Sequence, residues 1–358
     1  ANFAICVSHT HSGPEMGDLL NILQYRNATT YSDSLLPAEH INRIVQYSEQ
    51  LTLKLEQVAL AALQNRKPSF VSWGQGKVAF AENRRHAPEI VDRSMPLLKV
   101  TDTNGKLKAI LVNYACHAVS LGPGINKIHG DWVGEAQRLM EANHPEAIAM
   151  VAIGCGADAN PSVIGLENLS PLLQSSVYGK MIADEAERLL NTSLRPLNSV
   201  PVGRLVKIGL PFNHVPDVKE LVAQTADKTV KGYYARLALD RIARGEKIPS
   251  GISYPVQSWT FGKELAMVFL GGEVVADYSL RLKKELGAER LWINAYSNDV
   301  PSYIASKRVI RLGGYEGALS MYYYNKPAPY DETIEDKIIN TVHKLIPEAL
   351  KSNKKQKR

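Results

Sequence analysis

The chain has 358 residues, 45% of them hydrophobic, enough for a large α/β domain with a real core, and this excludes global disorder. Its formal net charge of +6 invites a nucleic-acid reading, but Lys351, Lys354, Lys355, Lys357 and Arg358 supply five of those charges. A nearly neutral body with a basic tail, 7% aromatics and no aromatic-interleaved basic patch argues against nucleic acid as the partner and for, at most, a peripheral contact between the tail and an anionic membrane surface. No apolar run reaches about 18 residues, so no transmembrane helix is expected. Cys6, Cys116 and Cys155 are too few and too far apart for a disulfide framework or a cysteine-rich zinc knuckle, and each sits in an apolar run as a small buried hydrophobe would.

The apolar run Phe3–Val7 reads as a buried strand ending in Ser8-His9-Thr10-His11-Ser12-Gly13-Pro14. Residues i and i+2 of a strand share a face, so His9 and His11 project together, and two imidazoles are half of a zinc site. The plain alternative is a pair of histidines hydrogen-bonded at a strand end. The chain opens with Ala1 rather than Met and directly inside this strand, which gives the expectation that upstream residues are missing. Residues 18–34 read as a polar loop over the site. Pro37 to Gln64 carries Ile41, Ile44, Val45, Leu51, Leu55, Val58 and Leu63 on one stripe of a long amphipathic helix. Val71 to Ala81 is strand-like and leads into the basic loop Asn83-Arg84-Arg85-His86, which could simply be solvated.

Thr103-Asn104-Gly105 marks a hairpin, and its second strand ends at His117. Asp131 is the natural N-cap of a helix reaching Glu141. Ala147 to Ile153 is nearly all apolar, the mark of a strand buried on both faces, and runs into Gly154-Cys155-Gly156-Ala157-Asp158-Ala159-Asn160-Pro161. Helices are expected over 171–190, with Ser170 as N-cap, and over 218–244, with a strand near 200–210 between them. Leu265 to Leu270 is another buried strand ending in Gly271-Gly272-Glu273, with a helix after it; Leu291 to Ala295 ends in Tyr296-Ser297-Asn298-Asp299. A helix over 332–350 and the tail 351–358 follow. Strand ends after residues 7, 116, 153, 270 and 295 therefore deliver His, His, Asp/Asn, Glu and Tyr/Asn/Asp. Five polar strand ends in an α/β pattern make one metal-centred site the leading reading. The expected fold is a mixed, largely buried sheet flanked by helices, with residues 1–350 as a single domain.

Taken together these residues resemble the neutral/alkaline (non-lysosomal) ceramidase family. The match consists of the Ser-His-Thr-His-Ser-Gly-Pro run, a strand ending in His117, a Gly-x-Asp-x-x-Pro turn at 156–161, Gly-Glu at 272–273, and Tyr303 with Tyr315-Glu316-Gly317. The resemblance implies a zinc ion held by His9, His117, Glu273 and Tyr303. It further implies a substrate-facing Arg84 (Arg85 being the alternative), Tyr315 as the active-site tyrosine, and His11 as a substrate contact. It implies hydrolysis of the amide of a lipid N-acyl substrate, a secreted or periplasmic location, and a chain without the family's N-terminal strands or the C-terminal immunoglobulin-like domain of animal members. Metal-activated water would attack the carbonyl while Tyr315 or Arg84 stabilises the oxyanion, and His11 or Asp158 would relay a proton to the leaving amine. One departure stands out. The family has a serine in its Gly-Asp-x-Ser-Pro turn, and this chain has Asn160 there. The rival readings are another His-x-His metallohydrolase and a catalytically inactive lipid- or carbohydrate-binding relative. An amidohydrolase barrel wants eight regular strand–helix units, which are not found; a metallo-β-lactamase-like fold wants Asp-His after the His-x-His, where Ser12-Gly13 stand.

Overall fold

The computed structural model describes residues 1–17, 26–27, 30–31, 37–85, 89–122 and 124–351. The expected loop over the site, His86 and the tail beyond Lys351 fall largely or wholly outside these residues.

The mixed α/β class holds, with the strands divided between two main sheets. One sheet orders Ile148–Ile153, Leu107–Tyr114, Ser94–Asp102, Ser69–Lys77 and Arg195–Pro196, with its first pair parallel and the others antiparallel. The other orders Val202–Pro211, Gly251–Phe261, Leu265–Leu270 and Leu291–Asn294, with its last pair parallel. Strand alternation divides the side chains of the second sheet between two layers. Leu265, Met267, Phe269 and Trp292 join Trp73, with Leu98 and Leu111 of the first sheet packed against them. Ala266, Val268 and Leu270 face the main core with Leu282, Ile338 and Val342 of the helices Ala276–Leu286 and Ile334–Leu345. The first sheet likewise turns Ile110 and Val112 toward the helices Asp131–Asn143 and Pro171–Leu190.

Most predicted elements form, and the exceptions have local causes. Phe3–Val7 is no buried strand: it makes a single bridge, Cys6 to Ser297, and exposes Phe3, Ile5 and Val7 while Ala4 and Cys6 pack inward. Ile148–Ile153 is an edge strand, so Ile148 and Met150 face outward instead of being buried. The 218–244 segment is two helices, Val218–Gln224 and Val230–Ala243, each with its own cap from Asp217 and Thr229. Asp131 does not cap its helix. It sits at φ 54° and accepts from the Leu121 and Trp132 amides, which pins the loop after His117. The helix Ala38–Gln64 forms as read, yet none of its residues is buried, and Val45, Leu53, Val58 and Leu63 of its apolar positions are exposed.

Two short strand pairs join the sheets at one end. Glu273–Val274 runs parallel to Tyr303–Ile304, with Glu273 opposite Tyr303. Ala81–Asn83 runs antiparallel to Ala159–Pro161, with Glu82 opposite Asn160. Backbone bonds knit the strand ends together: Ala295 N to Ile153 O (2.9 Å), Tyr296 N to Gly272 O (3.0 Å), Ala157 N to Val274 O (3.1 Å) and Val7 N to Tyr296 O (3.2 Å). The five strand ends singled out in the sequence thus meet in one place.

Candidate active site

His9 and His11 do come together, but not through strand alternation. His9 adopts φ 54°, a left-handed conformation that L-residues rarely take outside constrained sites. The turn is held from outside by His11 N to Ala118 O, His129 N to Ser12 O, and the Thr10 hydroxyl to His129 O. His117 lies on the inner side. Its Nδ1 meets the Gly156 carbonyl at 3.0 Å, so Nδ1 donates there and Nε2 faces the group. Among the described residues, His9, His11 and His117 offer ligand nitrogens that all lie within 4.8 Å of one another.

Glu273 closes the group from below. Its Oε2 is 3.0 Å from His117 Nε2 and 3.3 Å from His9 Nε2. The Tyr303 hydroxyl is 3.3 Å from His117 Nε2, and its ring stacks on that imidazole. The four expected ligands therefore converge, with His11 beside them. Burial works against the ionised form of Glu273, but the imidazoles of His9 and His117 and the Tyr324 hydroxyl hold it down at about 2. Burial lowers His9, and burial with the neighbouring imidazoles lowers His11 to about 4, so both are neutral at pH 7. The imidazoles of His9, His11 and His117, the ionised carboxylate of Glu273 and the phenol of Tyr303 are nitrogen and oxygen donors of the kind that suits zinc or a similar divalent ion. The donor set fits such a metal.

Arg84 stands over this group. Its Nη2 donates to the Tyr303 hydroxyl (3.1 Å), its Nε to Glu316 (2.7 Å), and its Nη1 makes a long contact to Asn160 Oδ1 (3.4 Å). Its guanidinium lies 5.9 Å from the Tyr303 ring centroid and 5.8 Å from that of Tyr315. Arg85 pairs with the other oxygen of Glu316 and with Gly313 O, so it faces the clamp and not the metal group. Tyr315 is 44% exposed, and burial of its hydroxyl end with the charge of Glu273 raises its phenol to about 12. Tyr315 is therefore a hydrogen-bond donor at neutral pH.

Asp158 is tied into the backbone beside the site. Its Oδ1 accepts from the Ala276 amide at the start of the helix after Glu273, and its Oδ2 from the Asn83 side chain. With both oxygens engaged and the group wholly buried, Asp158 anchors the strand pair and the helix. Three residues outside the expected ligand and catalytic set also belong here. Glu316 clamps the two arginines, and the hydroxyls of Tyr296 and Tyr324 both donate to Glu273. Glu316 stands inside the Tyr-Glu-Gly run, a usable signal; Tyr324 lies in a run of three tyrosines that marks none of them out. A groove of about 620 Å³ lined by Arg204, His343, Lys344 and Pro347 contains none of these groups.

By sequence, the chain matches no family model and no curated protein. Its structure superposes on the neutral ceramidase from Pseudomonas aeruginosa with a TM-score of 0.67 at 16% identity, over 98% of this chain and 62% of that one. The fold is that of neutral ceramidase. A ceramidase complexed with C2 gives a TM-score of 0.65 at 13% identity, over 98% of this chain and 63% of that one. The chain thus spans a little over three fifths of the length of these ceramidases. No described helix is long and apolar enough to cross a membrane.

Proposed function

We propose that the protein is a divergent neutral ceramidase-type enzyme, a zinc-dependent hydrolase that cleaves the amide bond of a lipid N-acyl substrate. The observation that carries this reading is the convergence of His9, His117, Glu273 and Tyr303 beneath Arg84 and Tyr315, on a ceramidase fold. His9, His117, Glu273 and Tyr303 would hold the ion. Zinc in such a site supplies Lewis acidity and makes water acidic enough to act as a nucleophile near neutral pH.

The protein's own groups do the rest. Arg84, fixed by Glu316, and the protonated Tyr315 donate to the amide oxygen as it gains charge. His11, neutral at pH 7 and beside His9 and His117, takes a proton from the attacking side and returns it to the leaving amine. Asn160, in the place of the family's serine, acts through Arg84: a carboxamide oxygen accepts from the guanidinium as a hydroxyl could. Work outside the cytoplasm, and contact of the basic tail with anionic membrane, complete the proposal.

The test is turnover of a panel of N-acyl substrates, ceramide and N-acyl amino acids among them, by zinc-loaded and chelator-stripped protein. Hydrolysis that requires zinc and disappears in His9→Ala is expected. Binding of ceramide without turnover of any amide would instead make the chain an inactive relative, the reading that Asn160 favours.

A further inference from the structure

The two oxygens of Glu273 have different partners. Oε2 faces the metal group, within reach of the Nε2 atoms of His9 and His117 and, at 3.4 Å, the Tyr296 hydroxyl. Oε1 receives the hydroxyl of Tyr324, a residue 7% exposed whose ring packs beside Tyr303. The carboxylate itself is 1% exposed, so water has no ready access to Oε1 if that hydroxyl is removed.

The placement of Tyr324 follows from an unusual piece of backbone. Tyr315–Leu319 is a turn of π-helix leading into the short helix Ser320–Tyr323. A π turn adds a residue to the helical register and is found mostly at functional sites. Here it lets one ten-residue stretch present Tyr315 to Arg84, Glu316 to the two arginines and Tyr324 to Glu273. Gly317 makes the close approach possible, since a Cβ there would sit 2.4 Å from Val309 O.

We infer that Tyr324 is a positioning residue that keeps Glu273 a one-oxygen ligand: its hydroxyl holds Oε1 and leaves Oε2 alone to face the metal. This inference rests on the metal-site reading above. A carboxylate free to bind through both oxygens would occupy the coordination position that water needs, whereas one held by a hydroxyl keeps that position open.

The experiment uses the full chain stripped of metal and titrated with zinc against a chromophoric chelator, with cobalt(II) absorption as a second readout. Tyr324→Phe keeps the ring and removes only the hydroxyl. Tyr178→Phe is the control, removing the hydroxyl of another buried tyrosine, whose partner is the Ser162 carbonyl. Loss of a group that orients a ligand typically costs ~10–100-fold in metal affinity. That loss is expected for Tyr324→Phe, with a cobalt spectrum shifted toward higher coordination, while Tyr178→Phe matches wild type in both. Wild-type zinc affinity and an unchanged cobalt spectrum in Tyr324→Phe, alongside weakened zinc binding in Glu273→Gln, would overturn this inference and leave the metal site standing. Undiminished zinc binding in Glu273→Gln would overturn the metal-site reading itself, and the inference with it.

Discussion

Arg84 is the side chain outside the expected ligand set whose replacement should change the chemistry most. Its three nitrogens have three different partners, Glu316, Tyr303 and Asn160, a pattern that a lysine's single ammonium cannot copy. Arg84→Lys is expected to lower kcat on an N-acyl substrate by roughly 10²–10³, the usual loss of an oriented oxyanion donor. Asn160→Ala should cost much less. It removes one hydrogen bond at 3.4 Å, worth about 1 kcal/mol, hence ~tenfold or less in rate. Steady-state kinetics of the two variants side by side decide the point: equal losses would mean that Asn160 touches the substrate directly. His9, His117 and Glu273 were legible as polar residues closing apolar runs, whereas Tyr303 came only with the resemblance. Tyr324 was not legible, because its partner is selected by the register of a π turn, and nothing in a Tyr-Tyr-Tyr run tells which ring turns inward. The partners of Asp158 were not legible either: this conspicuous carboxylate at a strand end holds a helix amide and Asn83.

The turn Gly271-Gly272 shows how tightly the backbone around Glu273 is specified. Gly272 lies at φ +76°, and a Cβ on it would meet Ser302 O at 2.7 Å, the residue whose carbonyl also receives the Glu273 amide. Gly105, in the hairpin between the strands Ser94–Asp102 and Leu107–Tyr114, has a similar φ of +82° but open space around it. Gly105→Ala should therefore cost about 1 kcal/mol, the backbone preference alone. Gly272→Ala should cost clearly more and should also weaken zinc binding, because the clash is relieved only by moving Glu273 or Ser302. Thermal unfolding and zinc titration of both variants check this; equal melting temperatures would remove the steric argument. Turns and caps of this kind were readable from composition, as were the Ser170 cap and the Thr103-Asn104-Gly105 hairpin. The strand Gly251–Phe261 was not. It carries Pro255 mid-run, a residue that argues against a strand interior, and it buries Gln257 and Ser258, so neither alternation nor hydrophobicity announced it. Without that strand, the division of the strands into two sheets could not be foreseen from sequence.

Closing two sheets over a cluster of titratable groups makes the metal-free protein's stability depend on pH, and the sign can be worked out. His11 titrates near 4 in the folded chain and near 6.5 when unfolded, since burial and the neighbouring imidazoles disfavour its charged form. Between these values the unfolded chain binds the extra proton, so stability rises with pH across that window and falls on acidification from neutrality. His9, lowered chiefly by burial, acts in the same sense. Glu273, held down at about 2, contributes stability that is present above the ordinary carboxylate range and lost as pH falls toward 2. Asp158 opposes them: burial raises its carboxyl, so its ionisation weakens the fold as pH rises through the acid range. A single melting curve mixes all four groups, and the difference between two proteins isolates one. Metal-free wild type and His11→Gln, melted from pH 7.5 down to pH 4, should diverge below about pH 6.5, with wild type losing stability relative to the variant as the imidazole that resists protonation is forced to accept it. Parallel curves over the whole range would mean that His11 is solvated like an ordinary surface histidine. It would then bind its proton near neutrality, and the assignment of His11 as a neutral proton carrier beside the metal group would fail with it.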